Sequence, residues 1–155
     1  MRAYLLDQPN RSFAADDLRQ FGVLHWRLPL AGSETEIARI KADRGYVEQD
    51  EVSLSKQTPN LDAICAKFDK EHYHTLDEVR FVVDGEGIFD VRDRADRWVR
   101  IEVDAGDMII IPANTYHRFY LTAAKTIRCV RLFLNNEGWA PLYRHEESEV
   151  ARPSR

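Results

Sequence analysis

The chain has 155 residues, 44% hydrophobic and 31% charged, the proportions of a globular protein large enough to bury a core without disulfides. A formal net charge of -4 gives no basic footprint for nucleic acid, and no apolar run reaches membrane-spanning length. Asp7 cuts the opening apolar residues short, so no secretory leader is expected, and Cys65 and Cys129 form no CxxC pair. These features fit a reducing, cytoplasmic setting, extending to the nucleus in a eukaryote.

The first third mixes helix and strand. Ser12 is placed to cap a short helix through Leu18 and Phe21 that Gly22 ends, and residues 22–28 read as a strand stopped by Pro29. Ser33 and Glu36 have capping-box spacing ahead of Ile37 and Ile40, with Gly45 just past the end. Residues 52–54 suggest another strand. Thr58-Pro59 opens a further helix, proline in its first turn, whose Leu61, Ile64, Cys65 and Phe68 recur at i, i+3, i+4 and i+7 as a buried stripe. Cys129, in an apolar strand, is also expected in the core.

From His72 onward the pattern becomes short strands and tight turns. Residues 79–83 and 88–91 meet across Asp84-Gly85-Glu86-Gly87, a glycine-rich hairpin signal. Residues 98–103 alternate, 108–111 form the continuous apolar run of a strand buried on both faces, and 117–121 and 127–134 complete the series. The expected fold is mainly β, an antiparallel jelly-roll barrel with a few peripheral helices. It forms one domain over 1–155: a mixed flank over 1–69, a barrel core over 70–135 and a polar, mobile tail over 145–155.

Within that core, His72 and His74 stand two residues apart, Glu78 four beyond the second, and His117 follows the turn at Pro112. Residues i and i+2 of a strand point to one face, so the pair can converge on a single point. Three imidazoles and a carboxylate without a thiolate suit a borderline divalent ion such as Fe, Ni, Zn, Cu or Mn. Burying such a set without a cation is costly. Four protein ligands on an octahedral ion would leave two positions for substrate or oxygen. The isolated His25 and His145 fit surface or hydrogen-bonded core roles better.

His72-x-His74-x3-Glu78-x6-Gly85 resembles the first cupin motif, and Gly106-x5-Pro112-x-Asn114-x2-His117 the second. Ala66 stands where the first would open with glycine. Asn114 replaces an inner glycine of the second, and Leu121 its terminal asparagine. Asparagine tolerates the left-handed conformation such a turn often needs. The run 77–93, the stretch 106–119 and Val130-Arg131-Leu132-Phe133 are similar to the acireductone dioxygenase family, over about His72 to Trp139. The resemblance implies a cupin-type barrel with His72, His74, Glu78 and His117 as ligands of one Fe(2+) or Ni(2+) per chain. It also implies acireductone and O2 as substrates in methionine salvage, and a monomer.

Other residues bear on that chemistry. Arg80 shares strand parity with Glu78 and can neutralise an anionic substrate or merely orient the ligand. Asp77 can orient a histidine, act as a base, or be a solvated loop acid. Arg131 shares a face with Ile127, Cys129 and Phe133, so it needs a partner. Phe119 and Trp139 can wall an apolar pocket or be plain core. The competing functions are a non-catalytic, metal-binding cupin of the pirin type acting as a regulatory partner, and a sugar-phosphate isomerase on the same ligand set.

Overall fold

In the computed structural model, which describes residues 1–144, the strands are β1 (Arg2–Leu5), β2 (Gln8–Phe13), β3 (Leu24–Arg27), β4 (Glu48–Leu54), β5 (His72–Tyr73), β6 (Glu78–Arg92), β7 (Trp98–Asp104), β8 (Asp107–Ile111), β9 (His117–Leu121), β10 (Ile127–Phe133) and β11 (Leu142–Tyr143). Helices α1 (Glu34–Arg44) and α2 (Leu61–Ala66) and a 3-10 helix (Ala15–Phe21) lie between them. The pairings are antiparallel and make two half-sheets, β11-β5-β9-β6-β7-β1-β2 and β4-β10-β6-β8-β3. The expected mainly β, jelly-roll architecture is what forms. The tail expectation and His145 lie outside the described residues.

Strand β6 belongs to both sheets, which corrects the hairpin expected at Asp84-Gly85-Glu86-Gly87. Residues 78–85 pair with β8 and β10, residues 86–92 with β7 and β9, and the chain never reverses. The glycines serve close approach instead. Gly85 has φ +78°, and a Cβ there would lie 2.2 Å from the Thr126 carbonyl oxygen. A Cβ on Gly87 would stand 2.6 Å from the Phe119 ring. The register shift opposite Arg128 and Cys129 bends the strand from one sheet into the other.

The amino-terminal third departs further from expectation. Ser12 lies in β2 and caps nothing; the 3-10 helix opens at Ala14, whose N–H donates to the Asp17 carboxylate at 2.8 Å. Gly22 does end it, in the left-handed conformation. Ser33 precedes α1 as expected, but its hydroxyl donates to the Leu30 carbonyl and no capping box forms. Pro59 stands two residues ahead of α2, which begins after a left-handed Asn60. The α2 stripe is only half-buried: Cys65 is partly exposed while Cys129 is buried.

Two clusters hold the elements together. Leu5, Val82, Phe89, Ile101, Ile109 and Ile127 fill the space between the sheets. Ile37 and Ile40 of α1 pack on Val79, Phe81, Ile110 and Leu132 on the opposite side of the second sheet. Each such fully buried aliphatic contributes about 1.5–3 kcal/mol. Among the described residues no helix is long and apolar enough to cross a membrane.

Candidate metal centre

Pairing between β5 and β9 sets His72 directly opposite His117, with ring centroids 4.5 Å apart. His74 continues the same face, its ring 4.9 Å from His72 and 5.1 Å from His117. The turn between β8 and β9 is pinned to this segment by Asn114, whose N–H donates to the His74 carbonyl at 2.8 Å. Asn114 has φ 63°, the left-handed conformation anticipated for it. One ring nitrogen from each histidine lies within 4.8 Å of the others, and all three are buried.

The ring orientations follow from hydrogen bonds at the far nitrogen. Nδ1 of His72 donates to the Lys70 carbonyl (2.7 Å), that of His117 to the Thr115 carbonyl (2.8 Å) and that of His74 to the Ala140 carbonyl (3.0 Å). A carbonyl only accepts, so each Nδ1 carries the proton and each Nε2 lone pair faces inward. Glu78, first residue of β6, brings Oε2 to 3.1 Å from His117 Nε2 and Oε1 to 4.0 Å from His74 Nε2.

These atoms fit a cation. His74 Nε2, His117 Nε2 and Glu78 Oε2 are buried without a hydrogen-bonding partner, the 3.1 Å contact lacking the geometry for one. Buried polar atoms left unpaired in this way are rare, and a divalent ion would satisfy all three at once. Burial pushes the His72 imidazole down to about 4, with His117 adding to the effect. Burial lowers His74 as well, against the opposing pull of Glu78. Both rings therefore present lone pairs at neutral pH. Burial alone would raise Glu78, but the Arg80 guanidinium holds it well below the usual carboxylate range.

Arg80 shares the inner face of β6, as parity requires, with Nη2 3.1 Å from Glu78 Oε1. Burial disfavours its charge, yet the Glu78 carboxylate more than compensates and the guanidinium is held more firmly protonated. It faces the rings of Trp139 (5.3 Å) and Phe119 (5.9 Å). Arg131 finds its partner in Asp50, which accepts from Nε at 2.8 Å, and also lies 5.5 Å from the Trp139 ring. A cleft of about 260 Å³ lined by Asp50, Arg131, Phe133 and Gly138 adjoins this wall. The indole N–H of Trp139 is buried and unpartnered, a donor available beside the cluster.

Asp77 is set apart from the histidines. Its Oδ1 accepts from the Ala113 N–H (3.0 Å) and its Oδ2 from Tyr46 (3.1 Å) and Arg44 (3.3 Å). His25 is a hydrogen-bonded core histidine, its Nε2 2.7 Å from buried Asp107. Beyond Trp139, the contribution of residues 140–144 was invisible in the sequence, because nothing in its spacing links Ala140 to His74 or Tyr143 to His72.

The model of the ARD/ARD' family matches residues 5–141. "Acireductone dioxygenase" of Heterostelium pallidum is 42% identical over 147 residues, covering 95% of this chain and all of the relative. The rat protein of the same name is 37% identical over 148 residues, covering 94% and 83%. Among solved structures, an acireductone dioxygenase from Bacillus anthracis with a cadmium ion in its active centre superposes with a TM-score of 0.86 at 32% identity, covering 92% of this chain and 97% of that one. The chain belongs to the ARD/ARD' family, within the cupin superfamily.

Proposed function

We propose that the chain is an acireductone dioxygenase acting on 1,2-dihydroxy-5-(methylthio)pent-1-en-3-one in methionine salvage, with His72, His74, Glu78 and His117 holding one Fe(2+) or Ni(2+). The observation that carries this reading is the set of buried, unpartnered nitrogen and oxygen atoms converging beside Arg80. Imidazole and carboxylate accept either metal. With iron the products are formate and 4-methylthio-2-oxobutanoate; with nickel they are formate, CO and 3-methylthiopropanoate.

The bound ion would supply positive charge that favours the deprotonated enediol and a place for its vicinal oxygens. The chain's residues do the rest. The neutral imidazoles of His72 and His74 need lose no proton to bind, and the three carbonyls fix the rings of all three histidines. Arg80 places a permanent cation where the substrate's negative charge sits. Phe119 and Trp139 close the wall around it and keep water from the reactive skeleton. Asp77 acts at one remove, holding the turn that carries His117 through the Ala113 N–H. The reading takes the monomer as the acting unit.

The test loads the purified protein with iron or nickel and mixes it with acireductone first without and then with oxygen. A spectral shift of the enediolate on anaerobic mixing, then oxygen uptake with formate release, is expected. Metal-loaded protein that yields no formate would overturn the assignment, leaving a non-catalytic metal-binding cupin. Turnover without oxygen that preserves the carbon skeleton would indicate an isomerase.

A further inference from the structure

Two of the three histidine tethers are local: the carbonyls of Lys70 and Thr115 lie two residues upstream of the rings they hold. The third is not. His74 depends on the carbonyl of Ala140, 66 residues away in sequence, in the segment from Trp139 to Arg144 that packs against His74 and His72. What fixes this strap fixes His74.

The strap is anchored at its far end. β11 pairs with β5, Tyr143 opposite His72, and the Tyr143 hydroxyl donates to the Lys67 carbonyl at 2.7 Å. Arg144 then gathers the outer side of the cluster. Its backbone N–H donates to the Glu71 carbonyl (3.1 Å), and its guanidinium donates to Glu71 Oε2 (2.7 Å) and to both carboxylate oxygens of Asp96 (3.0 and 3.1 Å). It also lies over the Tyr116 ring at 4.6 Å. Glu71 immediately precedes His72, and Tyr116 immediately precedes His117. The Arg144 side chain is only 15% exposed, and a planar fork of this kind is not replaced by a point charge.

The geometry points to Arg144 as a positioning residue for the metal centre: by locking the strap it holds the Ala140 carbonyl on His74 Nδ1. It is not one of the candidate donors. The inference rests on the metal-holding reading of the cluster. With Arg144 released, the His72 and His117 rings keep their local carbonyls, whereas His74 loses the partner that orients it. Outer partners of ligating histidines typically carry about 10- to 100-fold in metal affinity.

The experiment uses the full chain loaded with Zn(2+), a diamagnetic probe that accepts this donor set. Two quantities are compared in the wild type, Arg144→Gln and Arg100→Gln. One is the rate of zinc loss to excess chelator, the other the three histidine Nδ1–H signals in 15N-resolved NMR. Arg100 supplies the control because its guanidinium makes a comparable two-point contact with buried Asp90, away from the strap. Arg144→Gln is expected to lose zinc roughly tenfold or more faster than Arg100→Gln. In that variant only the His74 signal should lose protection from exchange. An unchanged His74 signal, equal loss of all three signals, or equal zinc loss in both variants would overturn the inference. Should Arg144→Gln not fold, Tyr143→Phe carries the same test through the other anchor, with the same His74-selective change expected. A wild type that takes up no zinc would instead sink the metal-holding reading itself.

Discussion

Removing Arg80 tests how charge is balanced in the site. Arg80 and Glu78 are 8% and 4% exposed, so Arg80→Met keeps most of the volume while leaving the carboxylate buried beside neutral imidazoles. Breaking one side of a buried pair costs about 3–5 kcal/mol. At about 2–4 °C per kcal/mol for a chain of this size, the metal-free variant should melt on the order of 10 °C below the wild type. A divalent ion at the cluster would take over the compensation of Glu78. In the metal-loaded proteins the deficit should therefore shrink to about 1–2 kcal/mol, the worth of the lost packing and ring contacts. Calorimetry of both proteins with and without metal gives the four melting points needed. Turnover should fall in the variant while metal content is retained. A deficit of the same size in both metal states would refute the idea that Arg80 and the ion neutralise a common carboxylate.

Three further outcomes follow from the same structure. Gly85→Ala combines a left-handed φ with a Cβ 2.2 Å from the Thr126 carbonyl oxygen, so it should cost more than about 2 kcal/mol in urea denaturation; a neutral result would contradict the sheet crossing described at that residue. His72 is lowered to about 4 from its ordinary 6.5, so between those values the unfolded chain binds a proton that the folded ring refuses. Stability of the metal-free protein should accordingly fall as pH drops from 6.5 to 4, by about 3 kcal/mol from this group, and His72→Gln should flatten that slope. Asp77→Ala strips partners from the Tyr46 hydroxyl and the Ala113 N–H, at about 1 kcal/mol each, and should lower the melting point while metal is retained. Metal loss at unchanged stability would give Asp77 a different role.

Much of the candidate site was legible because its logic is local. The two-residue interval of His72 and His74, the shared parity of Glu78 and Arg80, and the left-handed tolerance of Asn114 are properties of a few adjacent residues. The alternation of β7 and the unbroken burial of β8 were equally readable, since burial pattern tracks apolar pattern there. Failures came where a residue answers to something distant. Gly85 and Gly87 look like a turn until β10 and Phe119 are seen pressing on them. β2 is almost wholly exposed, so it carries no apolar signal, and its pairing with β1 is what makes it a strand. The α2 stripe has a core spacing, yet that helix lies against β9 and none of its residues is fully buried.

The same division runs through the candidate ligand set. The rings of His72 and His117 are each fixed by a carbonyl two residues upstream, so motif and orientation travel together in one short segment. His74 sits in the middle of the most readable motif of the chain and has its orientation set by Ala140, which no motif marks. The identity of the candidate donors can thus be encoded locally while their geometry is completed by the segment that leads into β11. A chain ending before Trp139 would keep all four candidate donors and still lack the Ala140 carbonyl that orients His74. On the inference drawn above, that asymmetry gives residues 139–144 a positioning role in the candidate site as well as a packing one.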